Sequence, residues 1–302
     1  MSNIIAIIWD FDKTLVDGYM QDPIFEEYGI DSKNFWNEVN LLPQKYMDEQ
    51  GVKVNPDTIY LNQFIKYTKQ EKFKDLNNER LKKFGEKLKF YNGIPEIFED
   101  TKNLFKDNTK YQEYGIRVEH YIVSTGIKEI IKGSIINKFV EDIWGCEFIE
   151  DEKDGNKFIS EIGFTIDNTT KTRALFEINK GVNKHPEIDV NSKMKSEVRR
   201  VPFKYMIYIA DGPSDVPAFS VVKKNGGSTF AIYPKGNEKA LKQVNNLLKD
   251  NRIDMYAEAD YSKGTTTYMW IVNRIKEIAE EIYEKERSKI RESISSSPKH
   301  II

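Results

Sequence analysis

The chain has 302 residues, 39% hydrophobic and 12% aromatic, enough for one large domain or two unequal ones around a substantial core. Its 46 Lys+Arg and 48 Asp+Glu leave a formal charge of −2, which argues against a dedicated nucleic-acid binder. A single cysteine, Cys146, excludes an internal disulfide and a Cys-rich zinc site, and three histidines leave little for a His-based one. A metal should therefore be a hard cation held by carboxylates. No apolar run is long enough to span a bilayer, and the start lacks the basic residues, long apolar stretch and cleavage site of a signal peptide. The expectation is a cytoplasmic protein with no membrane partner.

In chain order, Ile4–Trp9 is a continuous, mostly β-branched run, which reads as a strand buried on both faces of a parallel sheet. Similar runs recur at Tyr121–Ser124, Tyr205–Ala210, Thr229–Tyr233 and Met255–Ala257. Helical patterns separate them at Ile94–Lys106, Ile127–Asn137, Thr172–Asn179, Val216–Lys224 and Glu238–Leu248. The alternation predicts an α/β fold, a Rossmann-like, mostly parallel sheet flanked by helices.

Residues 18–90 interrupt this alternation and predict an inserted helical cap domain. Ile59, Phe64, Ile65 and Tyr67 mark one helical face, and Leu81, Phe84 and Leu88 another. The core is then discontinuous, residues 1–17 and 91–302, with hinges expected at Asp17-Gly18 and Tyr91-Asn92-Gly93. An Asp154-Gly155 turn between strand-like flanks predicts a hairpin. Residues 183–200 read as a surface insert. Tyr268–Arg291 reads as a long helix with Ile271, Ile275, Ile278 and Ile282 on its apolar face, followed by a frayed SSSPKHII tail.

Polar chemistry gathers where the apolar runs end. After the first strand come Asp10 and Asp12, in Asp10-Phe11-Asp12-Lys13-Thr14. Two like charges at the end of a buried strand are costly unless a cation or phosphate chemistry offsets them. The run ending at Ala210 breaks into Asp211-Gly212-Pro213-Ser214-Asp215, a second acidic loop. Two such loops can converge on Mg²⁺, although Asp215 could equally serve as a helix N-cap. Ser124-Thr125-Gly126 follows the second strand and could hold phosphate oxygens, with Ser124 as a plain N-cap the alternative. Lys171 stands at a helix start, where a cation is unfavourable unless it faces an anion; Lys180 competes with it but falls near the helix end.

In this order, DFDKT, IVST, Lys171 and IADGPSD resemble the haloacid dehalogenase (HAD) superfamily of Mg²⁺-dependent phosphohydrolases, and the YNGIPEIF turn and the hairpin resemble its phosphoserine phosphatase branch. The resemblance implies catalytic roles for Asp10 (nucleophile), Asp12 (acid/base) and Lys171. It implies phosphate binding by Thr14, Ser124, Thr125 and Gly126, and Mg²⁺ ligation among Asp10, Asp12, Asp211 and Asp215. Ala210 departs from the family pattern, which often has Gly there. The implied activity is hydrolysis of a small phosphorylated metabolite through an aspartyl-phosphate. A phosphomutase or phosphotransferase of the same superfamily, or a non-catalytic phosphate-binding regulator, is the alternative. A dinucleotide-dependent dehydrogenase is disfavoured because no GxGxxG follows the first strand. A phosphoryl-accepting receiver domain would need no large cap. Substrate choice is expected to come from cap residues such as Tyr19, Met20, Phe25, Glu26 and Trp36.

Overall fold

A computed structural model describes residues 3–295. Its strands are β1 (Ile4–Trp9), β2 (Arg117–Ile127), β3 (Asp142–Lys153), β4 (Asn156–Phe164), β5 (Met206–Ala210), β6 (Ser228–Tyr233) and β7 (Met255–Glu258). They form one seven-stranded sheet in the order β4-β3-β2-β1-β5-β6-β7. All neighbours run parallel except β3 and β4. The helices of residues 18–90 are α1 (Asp22–Tyr28), α2 (Ser32–Gln50), α3 (Ile59–Lys69) and α4 (Asn78–Gly85). Those of the remainder are α5 (Glu96–Lys102), α6 (Thr109–Gln112), α7 (Lys128–Gly133), α8 (Lys171–Lys180), α9 (Val216–Lys224), α10 (Glu238–Lys249) and α11 (Thr266–Ser295). Among the described residues, no helix is long and apolar enough to cross a membrane.

The expected α/β architecture is present, with β1 at its centre. Every residue of β1 is fully buried, which explains its unbroken apolar run. The chain leaves β1 toward β2 and later returns on the other side as β5. The strand order therefore reverses at β1, and the crevice beyond its carboxyl end is where such sheets bind ligands.

Several element boundaries differ from the sequence expectation for identifiable reasons. β2 extends from Arg117 to Ile127 because its polar residues are paired by tertiary contacts. Glu119 takes both terminal nitrogens of Arg200 at 2.8 Å, and His120 Nδ1 accepts from Trp9 Nε1 at 3.1 Å. Burial pushes the His120 imidazole down to about 3, so it packs as a neutral ring. The first part of β3 pairs with β2, so the predicted hairpin is an extension of the main sheet. Asp154 and Gly155 both have positive φ at its tip, as a tight hairpin turn requires. α5 is shorter than expected because the Asn103 side chain caps the Glu99 carbonyl at 3.0 Å. α7 also stops early, with Ser134 Oγ on the Ile131 carbonyl at 2.6 Å. Leu88 lies beyond the end of α4 and does not share its helical face. α11 carries the four buried isoleucines as expected, and the tail beyond Ser295 lies outside the described residues.

The inserted helices are fastened to the remainder at several points. The chain crosses between the two parts as a short ribbon, with Asp17 N–H on Lys89 O (2.9 Å) and Tyr91 N–H on Leu15 O (3.0 Å). Tyr261 clamps the return segment: its N–H donates to Asn92 O at 2.8 Å, and its hydroxyl to Thr14 O at 2.6 Å. A Cβ on Gly93 would fall on the Tyr261–Ser262 backbone, so this segment is tied down and unsuited to the hinge role expected of it. Gly18, at φ +131°, retains a conformation that other residues rarely adopt.

On the far side, α4 and α7 touch backbone to backbone. A Cβ on Gly133 would fall on the Lys82 carbonyl, and one on Gly85 on the Ile130 carbonyl. Ile159 N–H also donates to Leu76 O at 2.9 Å. Gly133→Ala should therefore force the two helices apart and cost about 1–3 kcal/mol, as overpacking does. Urea denaturation checks this, and an unchanged midpoint would show that the crossing absorbs a methyl group.

Candidate active site

The site begins where β1 ends. Asp10 N–H still donates to Ile209 O at 2.9 Å, so the residue is held in line with β5. The chain then turns back on itself, with Leu15 N–H on Phe11 O at 2.9 Å. Lys13 adopts φ 56°, a left-handed conformation unfavourable for a side-chain-bearing residue. The turn delivers the buried Thr14 hydroxyl to Asp10 Oδ2 at 3.0 Å. Thr14, expected to bind phosphate, thus donates to the carboxylate that the resemblance assigns as nucleophile.

Lys171 completes the other side of Asp10. It opens α8 and is 1% exposed, although lysine is almost never fully buried without a partner. Its Nζ lies 2.7 Å from Asp10 Oδ1 and 2.7 Å from Asp215 Oδ1. The competitor Lys180 donates to Ser192 O at 2.6 Å and also to Val190 O, so it holds the 183–200 insert. Asp215 occupies the N-cap position of α9 without a side-chain cap bond. Its carboxylate instead receives Lys171, the Tyr208 hydroxyl (2.6 Å) and the Ser214 hydroxyl (3.0 Å).

Asp10, Asp211 and Asp215 present oxygen atoms within 4.8 Å of one another. An all-carboxylate set of this size fits a hard divalent cation and excludes the soft metals that prefer thiolate. Asp12 lies outside that carboxylate group. Its Oδ1 accepts the Met20 N–H at 2.8 Å, placing it beside the first residues of the cap.

Ser124 is not a helix cap. β2 continues through it, and its Oγ accepts the Gly126 N–H at 3.0 Å, ordering the loop that Thr125 and Gly126 share. The Thr125 carbonyl accepts the Tyr60 hydroxyl at 2.9 Å, a direct bond from cap to core. Met20 covers the rest of this loop. Its thioether accepts the Ile127 N–H at 3.0 Å, and a Cβ on Gly126 would collide with it.

Electrostatics separate the carboxyl groups. Burial, followed by the Asp10 charge, holds Asp12 well above the usual carboxylate range, and the Met20 N–H offsets only part of this. Burial also raises Asp10; Lys171 opposes that rise and Asp215 adds to it. Asp211 is pushed up to about 7 by burial and by the charges of Asp10 and Asp215. Burial alone would lower Lys171, but Asp10 and Asp215 outweigh it and keep the ammonium charged.

Sequence reading missed Tyr208 and Tyr60 as parts of the site, and named Met20 only as a candidate for substrate choice, not as a cover on the Thr125–Gly126 loop. Tyr208 carried a faint signal, a phenol within an otherwise apolar strand ending. Tyr60 and the contact made by Met20 lie in residues 18–90, where no motif marks them. Of the cap aromatics, Phe25 is 2% exposed and stacks 4.8 Å from Phe35, so it belongs to the cap's own core. Trp36 is half-buried between Tyr19 (6.1 Å) and Tyr60 (5.7 Å). Lys13 lies 4.2 Å over the Tyr19 ring.

The fold is a Rossmann-like α/β sheet, with Asp10 and Asp211 directly after β1 and β5, Ser124 late in β2 and Lys171 at the start of α8. The chain is 38% identical over 287 residues to an uncharacterized protein of Borreliella burgdorferi, spanning 90% of this chain and 97% of that one, and it belongs to that protein's family. No family model matches the chain. Among solved structures it is similar to a HAD family hydrolase of Salmonella enterica serovar Typhi, at TM-score 0.49 and 14% identity over 84% of this chain and 67% of that one. It is also similar to a substrate-bound phosphoserine phosphatase complex, at TM-score 0.45 and 19% identity over 84% and 100%. A third is cytosolic 5′-nucleotidase IIIB bound to cytidine, at TM-score 0.46 and 14% identity over 93% and 87%. These likenesses are distant, and none decides the reaction.

Proposed function

We propose that the protein is a Mg²⁺-dependent phosphomonoester hydrolase acting on a small phosphorylated metabolite through an aspartyl-phosphate. One observation carries this reading: the buried Asp10 carboxylate is held between Lys171 and Thr14, and burial and the Asp10 charge hold Asp12, two residues away, well above the usual carboxylate range. A carboxylate nucleophile beside a carboxyl group whose protonated form is favoured is the pairing that phosphoryl transfer to a carboxylate needs.

In the first step an Asp10 oxygen bonds to phosphorus as the bond to the leaving oxygen breaks, and Asp12 gives its proton to that oxygen. Asp12, now ionised, takes a proton from water as the water attacks phosphorus and releases Asp10. Lys171 and the Ser124–Gly126 loop balance the phosphoryl oxygens. Asp10, Asp211 and Asp215 would hold the cation, which when bound neutralises charge on the phosphoryl group. The buried setting excludes competing water, and Tyr19, Trp36 and Lys13 are the side chains we assign to the leaving group.

The test is phosphate release from p-nitrophenyl phosphate. Mg²⁺ should support it, EDTA should abolish it, and full activity in excess chelator would overturn the reading. Metal binding should also displace protons, since burial and the charges of Asp10 and Asp215 push Asp211 up to about 7. The apparent metal affinity should fall as pH drops below about 7 and level off above it. Thermal-shift titrations with Mg²⁺ from acidic to mildly alkaline pH check the sign.

A further inference from the structure

A cleft of about 270 Å³ lies beyond the amino end of β5, at the opposite end of the parallel strands from Asp10, lined by Asn179, Ser196, Glu197, Arg199, Lys204 and Lys285 among others. Asn179 is in the last turn of α8, the helix that begins with Lys171. Eight residues of helical rise separate the two by roughly 12 Å. Phe203 and Lys204, which line the cleft, immediately precede β5, whose other end leads to Asp211.

The polar groups of this cleft are incompletely paired. Asn179 is 0% exposed, and its Nδ2 donates to Val201 O at 2.6 Å, which sets the amide's orientation. Its Oδ1 is buried and receives no donor, and the buried Arg199 Nε reaches no acceptor. Arg199, Lys204 and Lys285 stand against one acid, Glu197, which accepts the Ser196 hydroxyl at 2.6 Å. Burial and the charges of Lys289 and Lys204 lower Lys285, as expected of cations crowded without enough counter-charge. The cleft thus calls for an anion that accepts several hydrogen bonds and donates one. A bare carboxylate has no proton to give. A hydrogen phosphate group has both: its oxygens can accept from Arg199 and the lysines, and its P–OH can donate to Asn179 Oδ1.

We infer that this cleft binds a phosphate group, free or on a small molecule, at a site separate from Asp10. The inference does not depend on the phosphatase reading, because binding there requires no turnover. The experiment is calorimetric titration of the full chain carrying Ser124→Ala, in EDTA, so that the site at Asp10 contributes little. Inorganic phosphate and glycerol 3-phosphate are titrated in parallel, with sulfate, which is unprotonated at neutral pH, as the control. Saturable binding near one equivalent is expected, at least tenfold weaker for sulfate. The tighter of the two phosphates identifies the source of the group. Lys204→Glu and Lys285→Glu alter exposed side chains, and each should weaken phosphate binding at least tenfold with unchanged circular dichroism. Absence of saturable binding, equal affinity for sulfate, or unchanged binding in both variants would overturn the inference and leave the cleft filled by water alone.

Discussion

Asp10→Asn should lower phosphate release by roughly 10⁴-fold or more, the scale on which removal of a nucleophile acts. The amide is nearly the size of the carboxylate; its oxygen can accept from Lys171, and its NH2 can donate to the Thr14 hydroxyl, which can turn to accept, so the fold should persist. It cannot form the phosphoryl ester bond. Mass spectrometry must exclude deamidation back to Asp, which would return activity in proportion to time. A purified variant keeping a tenth of the wild-type rate would remove Asp10 from the nucleophile role. The result would also separate Asp10 from Asp215: both receive Lys171, but only Asp10 also receives Thr14 and lies in line with β1.

Lys171→Met should damage both activity and stability. The methionine keeps the length of the side chain and removes the charge that Asp10 and Asp215 share at 2.7 Å each. Removing one partner from a buried ion pair strands the remainder, at a cost of about 3–5 kcal/mol. Burial already raises Asp10, and without the opposing Lys171 its folded pKa should rise further above the unfolded one. Its ionised form is then the destabilised one, so the defect should be smallest at acid pH. It should grow as pH rises through the folded value. Mg²⁺ should restore part of the loss, because it would neutralise the same carboxylates. Urea denaturation over a pH series, with and without Mg²⁺, reads all three effects. A variant as stable as the wild type at neutral pH without metal would show that Lys171 is not the charge partner of this site. Turnover should fall roughly 10²–10³-fold, as when one oxyanion donor is removed.

The two variants probe different halves of one arrangement. Asp10 is placed by its own strand, through the hydrogen bond of its N–H to Ile209 O. Lys171 is placed by α8, whose preceding loop is braced by the cap: Asn55 Nδ2 donates to Asp167 Oδ2 at 2.9 Å, and Asn168 N–H to Asp57 Oδ2 at 3.3 Å. Changes in the loop between α2 and α3 can thus reach Lys171 without touching Asp10 or Asp215.

The sequence alone determined the strands that are uniformly apolar and the acidic or hydroxyl residues at their ends. β1 is fully buried, so its composition is extreme and its limits are sharp. The break from β5 into Asp211 and Asp215 was equally sharp, although the sequence left Asp215 open as a helix N-cap, and only its contacts with Lys171 and Tyr208 decided between the readings. Tertiary structure decided the rest. Glu119 and His120 concealed half of β2 because their burial is paid for by Arg200, Trp9 and Thr101, which are distant in the chain. The ends of α4 and α7 depend on a crossing in which Gly85 and Gly133 let two backbones touch, and no periodicity announces that contact. The choice of Lys171 over Lys180 followed from which ammonium reached buried carboxylates and which reached carbonyls. Asp12 and Asp10 share one motif and one residue type. Their different surroundings, an ammonium and a hydroxyl for Asp10 and the Met20 N–H for Asp12, bring together residues distant in the chain and exist only in the folded structure.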